Sequence, residues 1–201
     1  MKQLPTQSIH ILAIAGSLRK ASHNLSLLKA ASRLLPPGVT LEIFDLASIP
    51  LFNMDDKVEG EPEVIRDFKE RIAQADALLI ATPEYNASIP GVLKNAIDWA
   101  SHPRSQSPLL GKPLAILGAG GRSGTAHAQR HLREIASHLD MRLLESPQVL
   151  VARAWEKFDQ QGNLIDPVVR QQVEDLLHAL ADIIPHPPFT YESTLPALRL
   201  A

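Results

Sequence analysis

Short, almost wholly apolar segments alternate along the chain with amphipathic helical patterns, about five times in all. Ile9–Ala15 contains a single polar residue, His10, and Ala77–Ala81 contains none. Such runs are typical of strands that are buried on both faces of a parallel sheet. Because parallel neighbours must be joined by crossovers, the alternation predicts an α/β fold: a doubly wound, five-stranded parallel sheet with helices on both faces.

The other elements follow from the same patterns. Further strands are predicted at 39–44, 114–117, 142–144 and 149–152. Helices are predicted where apolar residues recur at helical spacing, near 25–35, 64–72, 92–100, 128–139 and 169–184. Pro62 and Pro90 mark helix starts, and Asp166 is the predicted N-cap of the last helix. No linker or repeat interrupts the pattern, so residues 8–184 are predicted to form one domain, followed by an extended proline-rich tail, 185–201.

Composition excludes several classes of function. The 201 residues carry a net charge of −2, whereas proteins that bind nucleic acid or anionic membranes are usually basic. The chain contains no cysteine, so it has no disulfide, thiolate nucleophile or cysteine-ligated metal. The polar N-terminus does not resemble a signal peptide, and no apolar run is long enough to span a bilayer. We therefore expect a cytoplasmic protein with neither nucleic acid nor membrane as a partner.

Ligands of open α/β sheets bind beyond the carboxyl ends of the strands, so the loop after the first strand is a candidate site. Gly16 allows a sharp exit from that strand. Ser17, Ser22 and Asn24 can donate to phosphate oxygens, and Arg19 can add charge-assisted bonds. The following helix directs its N-terminal N–H groups to the same place. A terminal phosphate fits this loop; the alternative is an ordinary N-cap by Ser22 or Asn24 with Arg19 in solvent.

The loop after the third strand is stiff and aromatic. Pro83 and Pro90 bracket it, Tyr85 offers a flat face with a hydroxyl tip, and Asn86 and Ser88 can hydrogen-bond a heterocycle. A phosphate loop and a ring loop on one sheet predict bound flavin mononucleotide (FMN). Two residues of the next helix, Asn95 and Asp98, are expected to brace the ring loop. The alternative for Tyr85 and Trp99 is that they are core or interface aromatics, and for Trp99 we favour that alternative.

The loop after the fourth strand, 118–124, contains four glycines, which allow close approach of the backbone to a ring edge. None of these loops has the dinucleotide or P-loop spacing. In the next helix, His127, His131 and Glu134 have the spacing of metal ligands, but no further ligand is identifiable. With His138 they form a stripe that more simply borders a subunit interface, so we predict no metal.

Two of these segments together resemble the NADPH-dependent FMN reductase family, which includes chromate, quinone and azo-dye reductases. They are Gly16-Ser17-Leu18-Arg19-x-x-Ser22-x-Asn24 and 83–99, which contains Pro83-Glu84-Tyr85-Asn86 and Lys94-Asn95-Ala96-Ile97-Asp98-Trp99. The resemblance implies a flavodoxin-like fold with strand order 2-1-3-4-5. It places Ser17, Arg19, Ser22, Asn24 and Leu25 at the phosphate, Pro83, Glu84, Tyr85 and Asn86 along the isoalloxazine, and Gly118, Gly120 and Gly121 at its pyrimidine end.

The expected function is that of an FMN-dependent NAD(P)H oxidoreductase. Hydride passes from the nicotinamide to flavin N5 and then to a quinone, azo dye, chromate or similar acceptor in a ping-pong cycle, with no catalytic side chain required. The alternatives are a flavodoxin-like single-electron carrier, which would usually be strongly acidic, and a protein that has kept the fold and lost turnover. The resemblance also implies self-association as a dimer or tetramer, for which Trp99, Ala100 and Arg104 are candidate contacts.

Overall fold

The structure is a computed structural model and describes residues 8–55 and 60–184. The strands are β1 Ile9–Ala15, β2 Val39–Phe44, β3 Ala77–Ala81, β4 Pro113–Ala119, β5 Arg142–Leu143 and β6 Val149–Val151. The helices are α1 His23–Ala31, α2 Glu63–Gln74, α3 Gly91–Ser101, α4 Ala126–His138 and α5 Pro167–Ile183. Single turns of 3-10 helix occur at Leu46–Ser48, Arg104–Gln106 and Ala154–Glu156.

All strand pairs in the described sheet are parallel, and the order is β2-β1-β3-β4-β5, with β6 also paired to β4. β5 and β6 are two parts of one interrupted outer strand: Leu114 pairs with Leu143 near the start of β4, and Leu117 pairs with Val149 near its end. The predicted flavodoxin-like fold and its 2-1-3-4-5 order are therefore confirmed.

Two apolar cores lie on the two faces of the sheet, because successive strand residues point to opposite sides. One face packs against α1 and α5, through residues such as Leu27 and Leu177. The other packs against α2, α3 and α4, through Phe68, Leu93 and Leu132. β3 is buried along its whole length, which explains its unbroken apolar sequence.

The helix starts follow the signals in the sequence. Pro62 and Pro90 are the residues that precede the first helical residues of α2 and α3. Asp166 caps α5, since its Oδ1 accepts hydrogen bonds from the N–H groups of Val168 and Val169, both at 3.0 Å. Pro167 occupies the first position of that helix, where its missing N–H removes no bond.

Trp99 is fully buried within the protomer and is not an interface residue. Its Nε1 donates to the Pro50 carbonyl at 2.9 Å, and its ring meets Phe52 edge-on with centroids 5.0 Å apart. Asn95 accepts from the Phe52 N–H at 2.7 Å and donates to the Pro50 carbonyl at 2.8 Å. The segment held by α3 is therefore the one after β2.

Two other sequence interpretations of this region are also corrected. Asn95 does not brace the ring loop, because both ends of its amide are used by residues 50 and 52. Asp98 pairs with Lys94 one turn earlier on α3, at 2.6 Å, and does not brace that loop either. Arg104 is paired within the chain, to the Asp140 carboxylate at 2.7 Å and the His138 carbonyl at 2.8 Å. Arg104 thus bonds within the chain, and its exposed side chain stays a candidate contact between subunits.

Among the described helices, none combines the length and the apolar character needed to cross a membrane. The predicted proline-rich tail, 185–201, lies outside the described residues, as does the polar N-terminal segment, 1–7.

Candidate functional site

Three loops leave the carboxyl edge of the sheet side by side. The N–H of Gly16 donates to the Ala81 carbonyl at 2.8 Å, and the N–H of Thr82 donates to the Leu117 carbonyl at 3.0 Å, so each parallel ladder runs to the first residue of its loop. A Cβ on Gly16 would lie 3.2 Å from Leu93 Cδ2 and 3.3 Å from Pro83 Cδ. The absence of a side chain at residue 16 therefore lets the first two loops pack closely.

The first loop ends at a capped helix N-terminus. Ser22 is buried, and its Oγ accepts from the Leu25 N–H at 3.3 Å, which makes it the N-cap of α1. The N–H groups of His23 and Asn24 lie in the first turn, where helices present their positive dipole end. Ser17 Oγ accepts from the Arg19 N–H at 3.4 Å, and the Arg19 side chain is exposed. This end of α1 is suited to an anion.

His23 is held against Phe158, with ring centroids 5.2 Å apart. Burial lowers the pKa of its imidazole, and the nearby Arg19 guanidinium lowers that pKa further. The ring is therefore neutral at neutral pH. The positive charge at this end of α1 comes from Arg19 and Lys20, not from the histidine.

Contrary to the prediction from the sequence, the side chain of Asn24 does not face the phosphate site. Its buried amide donates to the Ala119 carbonyl and accepts from the Ala119 N–H, both at 2.9 Å. This pair of bonds joins α1 to the end of β4, across 95 residues of sequence. A contact between residue 24 and a phosphate would thus use the main-chain N–H.

The second loop contains a two-residue turn. Tyr85 and Ser88 exchange main-chain hydrogen bonds, both at 3.0 Å, and the residues between them, Asn86 and Ala87, have φ values of 50° and 57°. Positive φ at both central positions is the geometry of a type I′ turn. The Tyr85 side chain stays 47% exposed at the edge of this turn, so its ring is accessible to a ligand.

Glu84 and Ser88 attach the second loop to α4. Glu84 Oε2 accepts from the N–H groups of His127 at 2.8 Å and Ala128 at 3.1 Å, at the start of α4. His131 Nδ1 lies 3.1 Å from Ser88 Oγ. This role of Glu84 was not predicted. The signal in the sequence was the start of α4, where no acidic residue occurs in the first turn to bond the N-terminal N–H groups.

Two of the glycines at the third loop are required by close contacts, whereas a third is not. A Cβ on Gly118 would lie 2.1 Å from Thr125 Oγ1, and one on Gly120 would lie 2.1 Å from the Gly124 carbonyl oxygen. A Cβ on Gly121 would meet nothing within 4 Å, so that position faces open space. The Gly120 N–H donates to the Val151 carbonyl at 3.0 Å. This N–H is therefore not available as a donor to a flavin ring.

The three loops form a site that fits a flavin mononucleotide. No acidic residue occurs in the first loop, where a phosphate would bind, and Arg19 and the α1 N-terminus lie there. An accessible aromatic ring borders the second loop, and Gly121 leaves room beside the third. Across residues 8–55 and 60–184, no three histidine, aspartate or glutamate side chains are grouped as a metal ion would require.

Comparison with known proteins agrees with this geometry. The sequence profile of the NADPH-dependent FMN reductase family matches residues 9–156. The NAD(P)H-dependent FMN reductase of Pseudomonas aeruginosa is 49% identical over 176 residues, which span 87% of this chain and 95% of that protein. The 2-hydroxy-1,4-benzoquinone reductase of a Burkholderia species is 41% identical over 175 residues, 87% of this chain and 95% of that one.

A solved structure extends the comparison to the fold. FerB, a flavoenzyme NAD(P)H:acceptor oxidoreductase from Paracoccus denitrificans, superposes with a TM-score of 0.80 at 33% identity, covering 88% of this chain and 97% of FerB. These matches confirm the flavin cofactor, the nicotinamide cosubstrate and the class of oxidoreductase that the loop motifs predicted. The chain belongs to the NADPH-dependent FMN reductase family.

Proposed function

We propose that this protein reduces a quinone or a similar small electron acceptor at the expense of NAD(P)H, in a ping-pong cycle on one open face of the flavin. When bound, FMN supplies the redox chemistry, taking a hydride from the nicotinamide and passing electrons to the acceptor. The observation that carries the proposal is the meeting of the three loops at one sheet edge, with an anion site at one end and open space at the other. The named quinone reductases among its relatives support the acceptor class.

We assign the FMN phosphate to the first loop. Ser17 and Arg19 would bind it with their side chains, and His23 and Asn24 with their main-chain N–H groups. Ser22 and Leu25 would shape the site through the cap that they make with each other at 3.3 Å. Arg19 supplies the charge, because the exposed guanidinium has no carboxylate partner among the described residues and can make charge-assisted bonds.

We assign the isoalloxazine to the second and third loops. Pro83, Glu84, Tyr85 and Asn86 would line one edge of the ring, held in place by the type I′ turn and by the bonds from Glu84 to α4. Gly118 and Gly120 would keep the third loop close to the sheet, and Gly121 would lie against the pyrimidine end. Since Gly120 N–H is used by Val151, we assign the polarising N–H groups to the exposed residues that follow, 121–123.

Bleaching of the bound flavin tests this function. We expect gently purified protein to be yellow and to release FMN but no FAD, because the first loop accommodates a terminal phosphate and lacks dinucleotide spacing. Anaerobic addition of NADPH should bleach the flavin rapidly, and a quinone should restore its colour. Stopped-flow absorbance measures both steps. Slow bleaching would favour a single-electron carrier, for which the net charge of −2 is low, and release of FAD would contradict the site assignment.

Removal of Arg19 tests the phosphate site. Arg19→Ala should weaken FMN binding by about 1.5 to 3 kcal/mol, the value of a hydrogen bond to a charged group. The dissociation constant, measured by flavin fluorescence, should rise about tenfold to a hundredfold. The unfolding free energy of the flavin-free protein should not change, because the side chain is exposed. Arg66→Ala, which removes an exposed charge from α2, is the control, and an unchanged dissociation constant for Arg19→Ala would place this arginine outside the site.

We also propose that the protein self-associates as a dimer or tetramer through the groove between α3 and α4. This groove has a volume of about 810 Å³ and begins at the ring loop, at Ser88 and Ile89. Ile97, Ile135 and Leu139 give it an apolar floor, and charged residues such as Lys94 and Glu134 border it. A second copy seated here would lie beside the flavin.

Light scattering at micromolar concentration tests the assembly. Wild-type protein should be oligomeric, and Glu134→Lys should shift it towards the monomer, because it places a second positive charge across the groove from Lys94. Glu70→Lys makes the same charge change on the exposed side of α2 and should leave the assembly unaltered. A wild-type monomer with full turnover would contradict the proposal.

Two further assignments belong to the same proposal. Residues 8–184 form the flavin-binding domain, and 185–201 is an appended tail. The protein acts in the cytoplasm, which is supported by its need for NAD(P)H, a reductant of the cell interior.

A further inference from the structure

A second cleft lies beside the phosphate loop, on the outer side of α1. It has a volume of about 540 Å³ and separates α1 from the turn that precedes α5. One wall carries Ser26 and Lys29 of α1 and Arg33 of the turn after α1, and the opposite wall is the polar segment 159–164. Lys20 and His23 also line the cleft, so it borders the proposed FMN phosphate site at the N-terminal end of α1.

Positive charge dominates this cleft, although the protein as a whole is slightly acidic. In the described part of the chain, Lys20, Lys29 and Arg33 form no ion pair, and Arg33 Nη1 makes a long hydrogen bond, 3.4 Å, to Asn163 Oδ1. Lys29 lies in the last turn of α1 and Arg33 in the turn that follows the helix, and both side chains line the cleft. Two adjacent cations without carboxylate partners form a site for a multiply charged anion.

The single acidic residue of the cleft lining, Asp159, forms no ion pair with these cations. Asp159 accepts from the N–H groups of Gln161 at 2.9 Å and Asn163 at 2.7 Å, and from Asn163 Nδ2 at 2.9 Å. Bonds from the Asn163 side chain and then from the main chain hold the pKa of Asp159 below its ordinary value. The carboxylate thus stays ionised, and its oxygens accept hydrogen bonds from the turn at 161–163. With Lys20, Lys29 and Arg33 in the same lining, the net charge of the cleft remains positive. The same segment supplies amide side chains, Gln160 and Gln161, that can bond a ribose or a base.

We propose that this cleft binds the 2′-phosphate of NADPH, so that the enzyme prefers NADPH to NADH. The proposal rests on the function proposed above. The 2′-phosphate is the group by which the two nucleotides differ, and a local cation is what accommodates it in other nucleotide sites. Arg33 can bind it with its planar fork, and Lys29 can add a point charge. Lys20 and His23 line the cleft and also border the FMN phosphate loop, so a nucleotide bound in the cleft would lie beside that loop.

The variant Lys29→Gln/Arg33→Gln tests the proposal, since both residues lie at or beyond the C-terminal end of α1, away from the FMN phosphate loop at its N-terminus. We expect the KM for NADPH to rise about tenfold, as for loss of a charged hydrogen bond, while the KM for NADH and both kcat values stay unchanged. Calorimetry with 2′,5′-ADP supplies a readout without turnover: wild-type protein should bind it, the variant about tenfold more weakly, and 5′-ADP should bind poorly to both.

Arg66→Gln/Arg142→Gln is the matched control, because it also removes two exposed positive charges, one from α2 and one from β5. It should leave both KM values unchanged. Equal changes in the two KM values of the cleft variant, equal binding of 2′,5′-ADP and 5′-ADP, or unaltered 2′,5′-ADP binding by the variant would each overturn the proposal. The FMN dissociation constant of the cleft variant should match wild type. If neither nucleotide bleaches the wild-type flavin, the proposed function fails, and the calorimetry still reports on the cleft.

Discussion

Gly118→Ala should lower the unfolding free energy by at least about 3 kcal/mol, at the upper end of what overpacking in a core costs. The added Cβ would lie 2.1 Å from Thr125 Oγ1 and 2.4 Å from the Thr82 carbonyl oxygen. The threonine hydroxyl can rotate, but the Thr82 carbonyl is part of the backbone at the end of β3. The clash can therefore be relieved only by moving one loop of the site away from another. Urea denaturation of the flavin-free protein measures the loss.

Gly121→Ala is the matched control for Gly118→Ala. A Cβ there meets nothing within 4 Å, so the unfolding free energy of the flavin-free protein should stay within about 0.5 kcal/mol of wild type. FMN affinity should nevertheless fall, because the new methyl group would occupy the space that we assign to the pyrimidine end of the ring. Equal denaturation midpoints for wild type and Gly118→Ala would show that the two loops are not packed as described here.

Asn24→Ala is expected to destabilise the flavin-free protein by about 3 kcal/mol, because it leaves two buried main-chain groups unpaired, at about 1 to 3 kcal/mol each. Those groups are the N–H and the carbonyl of Ala119, which the Asn24 amide bonds at 2.9 Å. FMN binding should weaken as well, since these bonds connect the phosphate loop to the third loop. Denaturation of the flavin-free protein and fluorescence titration with FMN measure the two effects.

Asn24→Asp separates the two bonds. The aspartate can still accept from the Ala119 N–H, but it turns a buried carboxylate oxygen towards the Ala119 carbonyl, so this variant should be at least as unstable as Asn24→Ala. FMN binding should weaken more in Asn24→Asp than in Asn24→Ala, because the new negative charge lies at the end of α1 where the phosphate binds. Wild-type stability for Asn24→Ala would rule out the connection between α1 and β4.

The parallel α/β class could be predicted from local signals, whereas the order of the strands followed from the resemblance to the FMN reductase family. A run such as Ala77–Ala81 must be buried on both faces, and parallel strands require crossovers of one hand. The two short strand candidates at 142–144 and 149–152 correspond to β5 and β6, but only the structure shows that both pair with β4. The helix N-terminus at Asp166 was predictable because a cap bonds only its own first turn.

The partners of individual polar and aromatic side chains could not be predicted in the same way. Trp99 is of a residue type that is common at interfaces, but it packs against Pro50 and Phe52 within the chain. Asn95 bonds the same segment rather than the loop that precedes its helix. Glu84 caps a helix 43 residues away. These contacts depend on how two elements are juxtaposed in space, and no periodicity in either element records the distance between them.

The sequence by itself determined the fold class, the three loops at the carboxyl edge and the family, because periodicity, caps and motifs are local properties of the chain. The order of the strands came from the resemblance to that family. The tertiary structure alone decided which donors remain for a ligand. It assigned the Asn24 amide and the Gly120 N–H to neighbouring backbone, left Gly121 open, and placed Lys29 and Arg33 opposite a polar turn 130 residues away. The physical reason is that a hydrogen-bonding group is committed by whatever packs against it, and packing is set by the whole fold.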